Sequence, residues 1–275
     1  MELRDRYEGV GMASLERQMS RVPRIPRLVR QLARHRAEPP IGVREFARQC
    51  LGFLEGHGFE EFRNGGACLY ERHARSWTAE IVCEPPSVVV PGVYVPVTFR
   101  VHVSNQAVGE MRRRYLAYRG HPVTTVCSRN IGGFGQGRPS SGSRWVVWNV
   151  GSLLQAEAAV AEVRDRVAGD VLPWLDVLQD TVRLGDRLAR ADLVGLSPDI
   201  ALELLSVAEV RNDPLDAARA ILARAGIEWE EVLGMLPRAR SVRGGPKWGR
   251  DCRWNAVVVL DQMGLLSSPP IRTWA

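Results

Sequence analysis

The chain reads as an α+β protein, an antiparallel sheet flanked by helices and followed by a small all-helical domain. Three observations predict it. Strand patterns between residues 68 and 103 alternate apolar and polar positions. A strongly periodic helix precedes them, and from Arg183 onward capping signals recur without any strand pattern.

Residues 1–40 come first and behave as a basic, partly disordered N-terminal arm. They hold nine arginines against five acidic residues. Pro23 and Pro26 stop a helix before Arg27, and Arg27 to Arg36 suits a short helix. The α+β domain is expected over 41–180 and the helical domain over 181–275. These two segments are nearly neutral, so the net charge of +6 comes largely from the arm.

Gly42 to Leu54 has apolar residues at Val43, Phe46, Ala47, Cys50, Leu51 and Leu54, the spacing of an amphipathic helix, and Gly56-His57-Gly58 supplies its stop. Phe59 opens an extended piece that turns at Asn64-Gly65-Gly66 into a strand from Cys68 to Arg72. The next strand alternates Ala79, Ile81 and Cys83 with Thr78, Glu80 and Val82. After a proline-punctuated link, Val97, Phe99, Val101 and Val103 face one way and Thr98, Arg100 and His102 the other. Short links favour an antiparallel meander. Pro96 lacks an amide and belongs at an edge or a bulge.

Ser104-Asn105 caps a helix over Gln106 to Arg119. Its Arg112, Arg113 and Arg114 spread around the helix and cannot form one stripe, so at least one lies near the buried side. Strands follow at Pro122 to Ser128 and Arg144 to Val150, separated by a glycine-rich stretch. Gly151-Ser152 caps a helix from Leu153 to about Gly169, with Leu154, Ala158, Ala161 and Val163 among its apolar residues. Asp170 to Leu175 begins a further turn or helix. In the helical domain, Leu184 to Leu193 is short. Ser197-Pro198 and Asp213-Pro214 are N-cap and first-turn pairs for Asp199 to Val210 and Leu215 to Ala225. Ile227 to Leu236 ends before Pro237, and Asn255 to Met263 suits a buried final helix.

Residues 41–180 resemble a group of uncharacterised bacterial α+β proteins, known only as domains of unknown function. The resemblance is carried by the helix ending in Gly58-Phe59, the strand through Tyr70 and Trp77, Arg129-Asn130-Ile131-Gly132 before Trp145, and Leu172-Pro173-Trp174-Leu175. It implies a non-enzymatic accessory or immunity-type binding protein.

Chemistry is sparse. The five cysteines are scattered and form no CxxC pair, which fits reduced thiols in a cytoplasm. No apolar run spans a bilayer, no signal peptide opens the chain, and no membrane partner is expected. His35, His57, His73, His102 and His121 show no ligand spacing. His73, His102 and Cys83 are the one set that could meet across the sheet, and cross-strand surface positions are the plainer reading. No cofactor motif is present. The glycines from Gly132 to Gly142 could cradle an anion through backbone amides, but no Gly-Lys-Ser/Thr follows and no helix opens there.

Three functions are therefore expected, in this order. The first is a protein-binding module using Trp77, Trp145, Trp148 and Arg112 to Arg114, because aromatic residues and arginine anchor interfaces. The second is nucleic-acid binding through Arg24, Arg27, Arg30, Arg34, Lys247 and Arg250. Lys247 is the only lysine in the chain, so arginine here reflects coding bias more than phosphate chemistry. The third is an enzyme with a site at the 132–142 loop.

Overall fold

The computed structural model describes residues 42–64, 67–84, 95–115, 124–134, 146–211, 213–241 and 252–266. The N-terminal arm, Trp145, most of the glycine-rich loop and the loop around Lys247 lie outside them. The described residues form two compact units. Those up to Ser104, with 124–134 and 146–173, make the first. Residues 105–115 join those from Trp174 onward in the second.

The first unit is built on a six-stranded antiparallel sheet. Its strands are β1 (Glu60–Asn64), β2 (Ala67–Ala74), β3 (Trp77–Glu84), β4 (Pro96–Asn105), β5 (Thr125–Asn130) and the short β6 (Trp148–Asn149). Strands β1 to β5 neighbour one another in sequence order, and β6 pairs with β4 at Pro96 and Val97. The meander expected from the short links is thus present, with β1 as an added edge strand. The bulge falls between Val103 and Ser104, at the far end of β4 from Pro96.

Alternation sets the two faces. Val97, Phe99, Val101 and Val103 are completely buried, as are Ala79 and Ile81 on β3. Helix α1 (Val43–Leu51) covers this face, bringing the Phe46 ring to 6.0 Å from Phe99. It runs into a 3-10 turn over Gly52–His57 and stops at Gly58, whose φ of 77° is one that glycine adopts without strain. Helix α3 (Leu153–Arg166) packs against α1 and is capped by the Ser152 hydroxyl, which accepts from the Gln155 amide. It ends in a π-turn over Val167–Val171, where the Leu172 amide reaches the Val167 carbonyl. Pro173 follows with no amide to donate, so the backbone pattern must change around it.

The second unit is helical. It contains α2 (Gln106–Tyr115), α4 (Leu172–Gln179) from Trp174 onward, α5 (Thr181–Ala189), α6 (Pro198–Leu204), α7 (Pro214–Arg224), α8 (Trp229–Ser241) and α9 (Cys252–Gln262). Asn105 caps α2 through the Val108 amide, and Asp180 and Asp213 cap α5 and α7. Helix α9 is the centre. Ala256 to Leu260 are all buried, and α6, α8 and α2 pack around them. A helix apolar on every side needs such a position. Two expectations fail here. Helix α6 stops at Leu204 rather than continuing to Val210. Helix α8 runs through Pro237 to Ser241. Proline removes one amide and leaves the Leu233 carbonyl four residues earlier unpaired by it.

Candidate functional site

Of the aromatic residues expected to anchor a partner, Trp77 and Trp148 belong to the core. Trp77 is 2 % exposed and Trp148 is 4 % exposed. Trp148 meets the Phe99 ring edge-on at 5.6 Å, and its buried indole Nε1 has no hydrogen-bond partner among the described residues. These two side chains present nothing to a docking protein. The reason is geometric: Trp77 falls on the buried face of β3 with Ala79 and Ile81, and Trp148 packs edge-on against Phe99 on the buried face of β4.

The arginine triplet divides, as the helix circumference requires. Arg112 turns inward and donates from Nε to Glu203 Oε1 at 2.8 Å and from Nη2 to Oε2 at 2.5 Å. The Glu203 side chain is fully buried and that of Arg112 is 11 % exposed. Arg112 is therefore a core cation, committed to Glu203, and not a surface contact. A second buried polar pair joins α9 to α6, the helix that carries Glu203, where Asn255 Nδ2 donates to Asp199 Oδ2 at 2.9 Å. Arg113 is exposed. The side chain of Arg114, with Trp145, Arg24, Arg27, Arg30, Arg34, Lys247 and Arg250, lies outside the described residues.

The start of the glycine-rich loop is held by an asparagine. Asn130 Oδ1 accepts from the Gly132 amide at 2.8 Å and from the Val146 amide at 3.4 Å. A Cβ at Gly132 would come within 2.1 Å of the Val146 side chain, so glycine is required for this approach. The Gly132 amide is thereby already taken, and is not available to cradle an anion. The remainder of the loop lies outside the described residues.

Histidines and thiols do not converge. His73 is exposed, with Nδ1 3.1 Å from the Thr78 hydroxyl and Nε2 3.2 Å from Glu71. Cys83 points into the core, and His102 lies on the opposite face of β4 from Phe99 and Val101. No group of three or more His, Cys, Asp or Glu among the described residues could hold a metal ion. Burial, and then the Arg100 guanidinium, lower the His102 pKa to about 4. On the same strand face, Glu84 accepts from the Thr98 hydroxyl at 2.8 Å and pairs with Arg100 Nε at 3.0 Å.

The feature that sequence reasoning missed is the outward face of α3. Its inner face is Ala156, Ala159 and Val163, all buried. Leu154, Ala158 and Ala161 point the other way and are exposed. Leu153 and Leu154 are 60 % and 77 % exposed, and Val147 just upstream is 43 % exposed. The outward face thus carries a short unpacked apolar line, Leu154, Ala158 and Ala161, flanked by the exposed Glu157, Glu162, Arg164 and Asp165. No helix among the described residues is long and apolar enough to cross a membrane.

No protein-family model, curated protein or solved structure matches this chain.

Proposed function

We propose that the chain is a non-enzymatic accessory module that binds another protein, and that its docking element is the outward face of α3. The carrying observation is the pair of adjacent leucines, Leu153 and Leu154, standing 60 % and 77 % exposed at the head of an apolar line through Ala158 and Ala161. An apolar stripe at helical spacing is the form that helix-in-groove recognition uses, with leucine as the anchor and small residues admitting close approach. Contiguous apolar surface of this kind costs solubility unless something covers it.

The test compares capture by the full chain with capture by Leu154→Asp and Ala158→Arg variants, from extract of the native host with and without nuclease treatment. A protein retained by the parent and lost by at least about tenfold with either variant supports the assignment, since an interface anchor is worth about 2 kcal/mol or more. Equal retention by all three refutes it. Recovery that depends on intact nucleic acid would instead favour the basic arm. Unchanged circular dichroism and melting confirm that the variants fold.

A further inference from the structure

We propose that Cys68 and Cys83 form a dithiol modification site, in which Cys68 attacks a low-molecular-weight disulfide such as oxidised glutathione and Cys83 resolves the adduct into a cross-strand disulfide. The sequence separates these residues, but the hairpin does not. Strands β2 and β3 pair antiparallel, with Ala74 opposite Trp77 at the turn and Cys68 directly opposite Cys83. Both side chains lie on the core face, 3 % and 1 % exposed. Directly opposed residues of an antiparallel pair have Cα atoms about 4.5–5.5 Å apart, inside the window of about 4.4–6.8 Å that a disulfide spans. No change of backbone register is needed to join them.

The surroundings give the two thiols different roles. Cys68 Sγ lies 4.0 Å from Glu61 Oε1 on the edge strand β1, as a donor to it. Glu61 is held by Arg48 Nε, 3.2 and 3.1 Å from its two oxygens, and by Arg44 Nη2 at 3.3 Å. Its side chain is 19 % exposed, that of Arg44 45 % and that of Arg48 40 %. Cys68 thus sits one strand from the sheet edge, beside a charged cluster that reaches solvent. Burial and the Glu61 charge raise its pKa, while Arg48 and Arg44 oppose them. Cys83 is deeper. Burial, with Cys50 and Cys68 as neighbours, raises its pKa, and no arginine opposes the rise. The attacking thiol in such an exchange is the one with the greater thiolate share and access.

In the first step Cys68 loses its proton to water and its thiolate attacks one sulfur of the disulfide. A Cys68–S–S–R bond forms and one RS⁻ leaves. The Cys83 thiolate then attacks Cys68 Sγ, the protein disulfide forms, and the second RS⁻ leaves. Two protein thiols are oxidised by two electrons and one small disulfide is reduced to two thiols.

The experiment equilibrates the full chain in glutathione buffers of increasing oxidation, quenches with an alkylating agent and maps the peptides. The expected result is one intramolecular link, between Cys68 and Cys83, formed faster as pH rises. In Cys83→Ser, Cys68 should carry roughly tenfold more glutathione than Cys50 does, following thiolate share and access. A Cys50–Cys83 link, an adduct placed first on Cys83, or three thiols that stay reduced where a surface cysteine control is fully oxidised would overturn the proposal. The parent chain's own peptide map decides the linkage even if a variant fails to fold.

Discussion

Replacing Arg112 by alanine isolates a buried ion pair of the helical unit. Glu203 is fully buried and receives two donated bonds from the Arg112 guanidinium. Removing the cation leaves a carboxylate in the core without that partner, and either its charge or a newly bound proton must be accommodated there. Breaking a buried pair from one side costs about 3–5 kcal/mol. In a chain of this size each kcal/mol moves the melting temperature by about 2–4 °C, so Arg112→Ala should melt about 6–20 °C lower. The pair itself need not be net stabilising, because both charges were desolvated to form it. An Arg112→Met, Glu203→Met double variant should therefore recover most of the loss, leaving it within about 1 kcal/mol of the parent. Urea unfolding of the parent, Arg112→Met, Glu203→Met and the double variant gives the coupling energy directly. A single variant within about 1 kcal/mol of the parent would refute the reasoning, and so would two losses that simply add.

Two further outcomes follow from local geometry. His102 has a pKa near 4 in the folded chain against an ordinary 6.5, so it is neutral in both folded and unfolded states above pH 6.5. As pH falls from there towards 4 the unfolded chain takes up the proton first, and up to about 3 kcal/mol of stability is lost. His102→Asn should flatten the stability profile over that window, and an NMR titration placing the imidazole near 6.5 would refute the assignment. Gly185 lies where a Cβ would come within 2.2 Å of the Glu209 carbonyl oxygen, which is backbone and cannot rotate aside. The same approach carries the bond from the Glu209 amide to the Thr181 carbonyl at 2.9 Å. Gly185→Ala should lose about 1–3 kcal/mol in chemical denaturation, and a neutral result would show that the 206–210 segment shifts freely.

The strands were legible because a pleated strand records burial at alternate residues. Val97 to Val103 shows the core face of β4 directly, and capping residues such as Asn105, Ser152 and Asp213 mark where helices begin. What alternation does not reveal is what covers each face. Trp77 and Trp148 were credible anchors as isolated letters. Only their place on the packed face of the sheet makes them core residues. The thiol pair was hidden for a different reason. Cys68 and Cys83 are equally distant from the Arg75-Ser76 turn, so the hairpin register joins them, but a search for short cysteine spacings passes over any pair related by reflection through a turn.

The same limit explains α3, and there it bears on function. Leu154, Ala158, Ala161 and Val163 look like one apolar set in the sequence, whereas the structure puts the first three outside and Val163 inside with Ala156 and Ala159. Alanine is the cause, since it is compatible with a packed face and a wet one and does not declare which is which. The alanines on either side of the helix give it little directional preference, and the exposed Glu157, Glu162, Arg164 and Asp165 mark only the outer side in general. Its orientation is instead chosen by the larger residues that fit the core, Val163 and the Val167 that follows it. The leucines at its start are then left exposed by the choice made further along the helix. Selection for solubility would replace them readily, because a polar residue in an exposed first turn costs little. Their presence there is the reason to look for a partner on this face before any other.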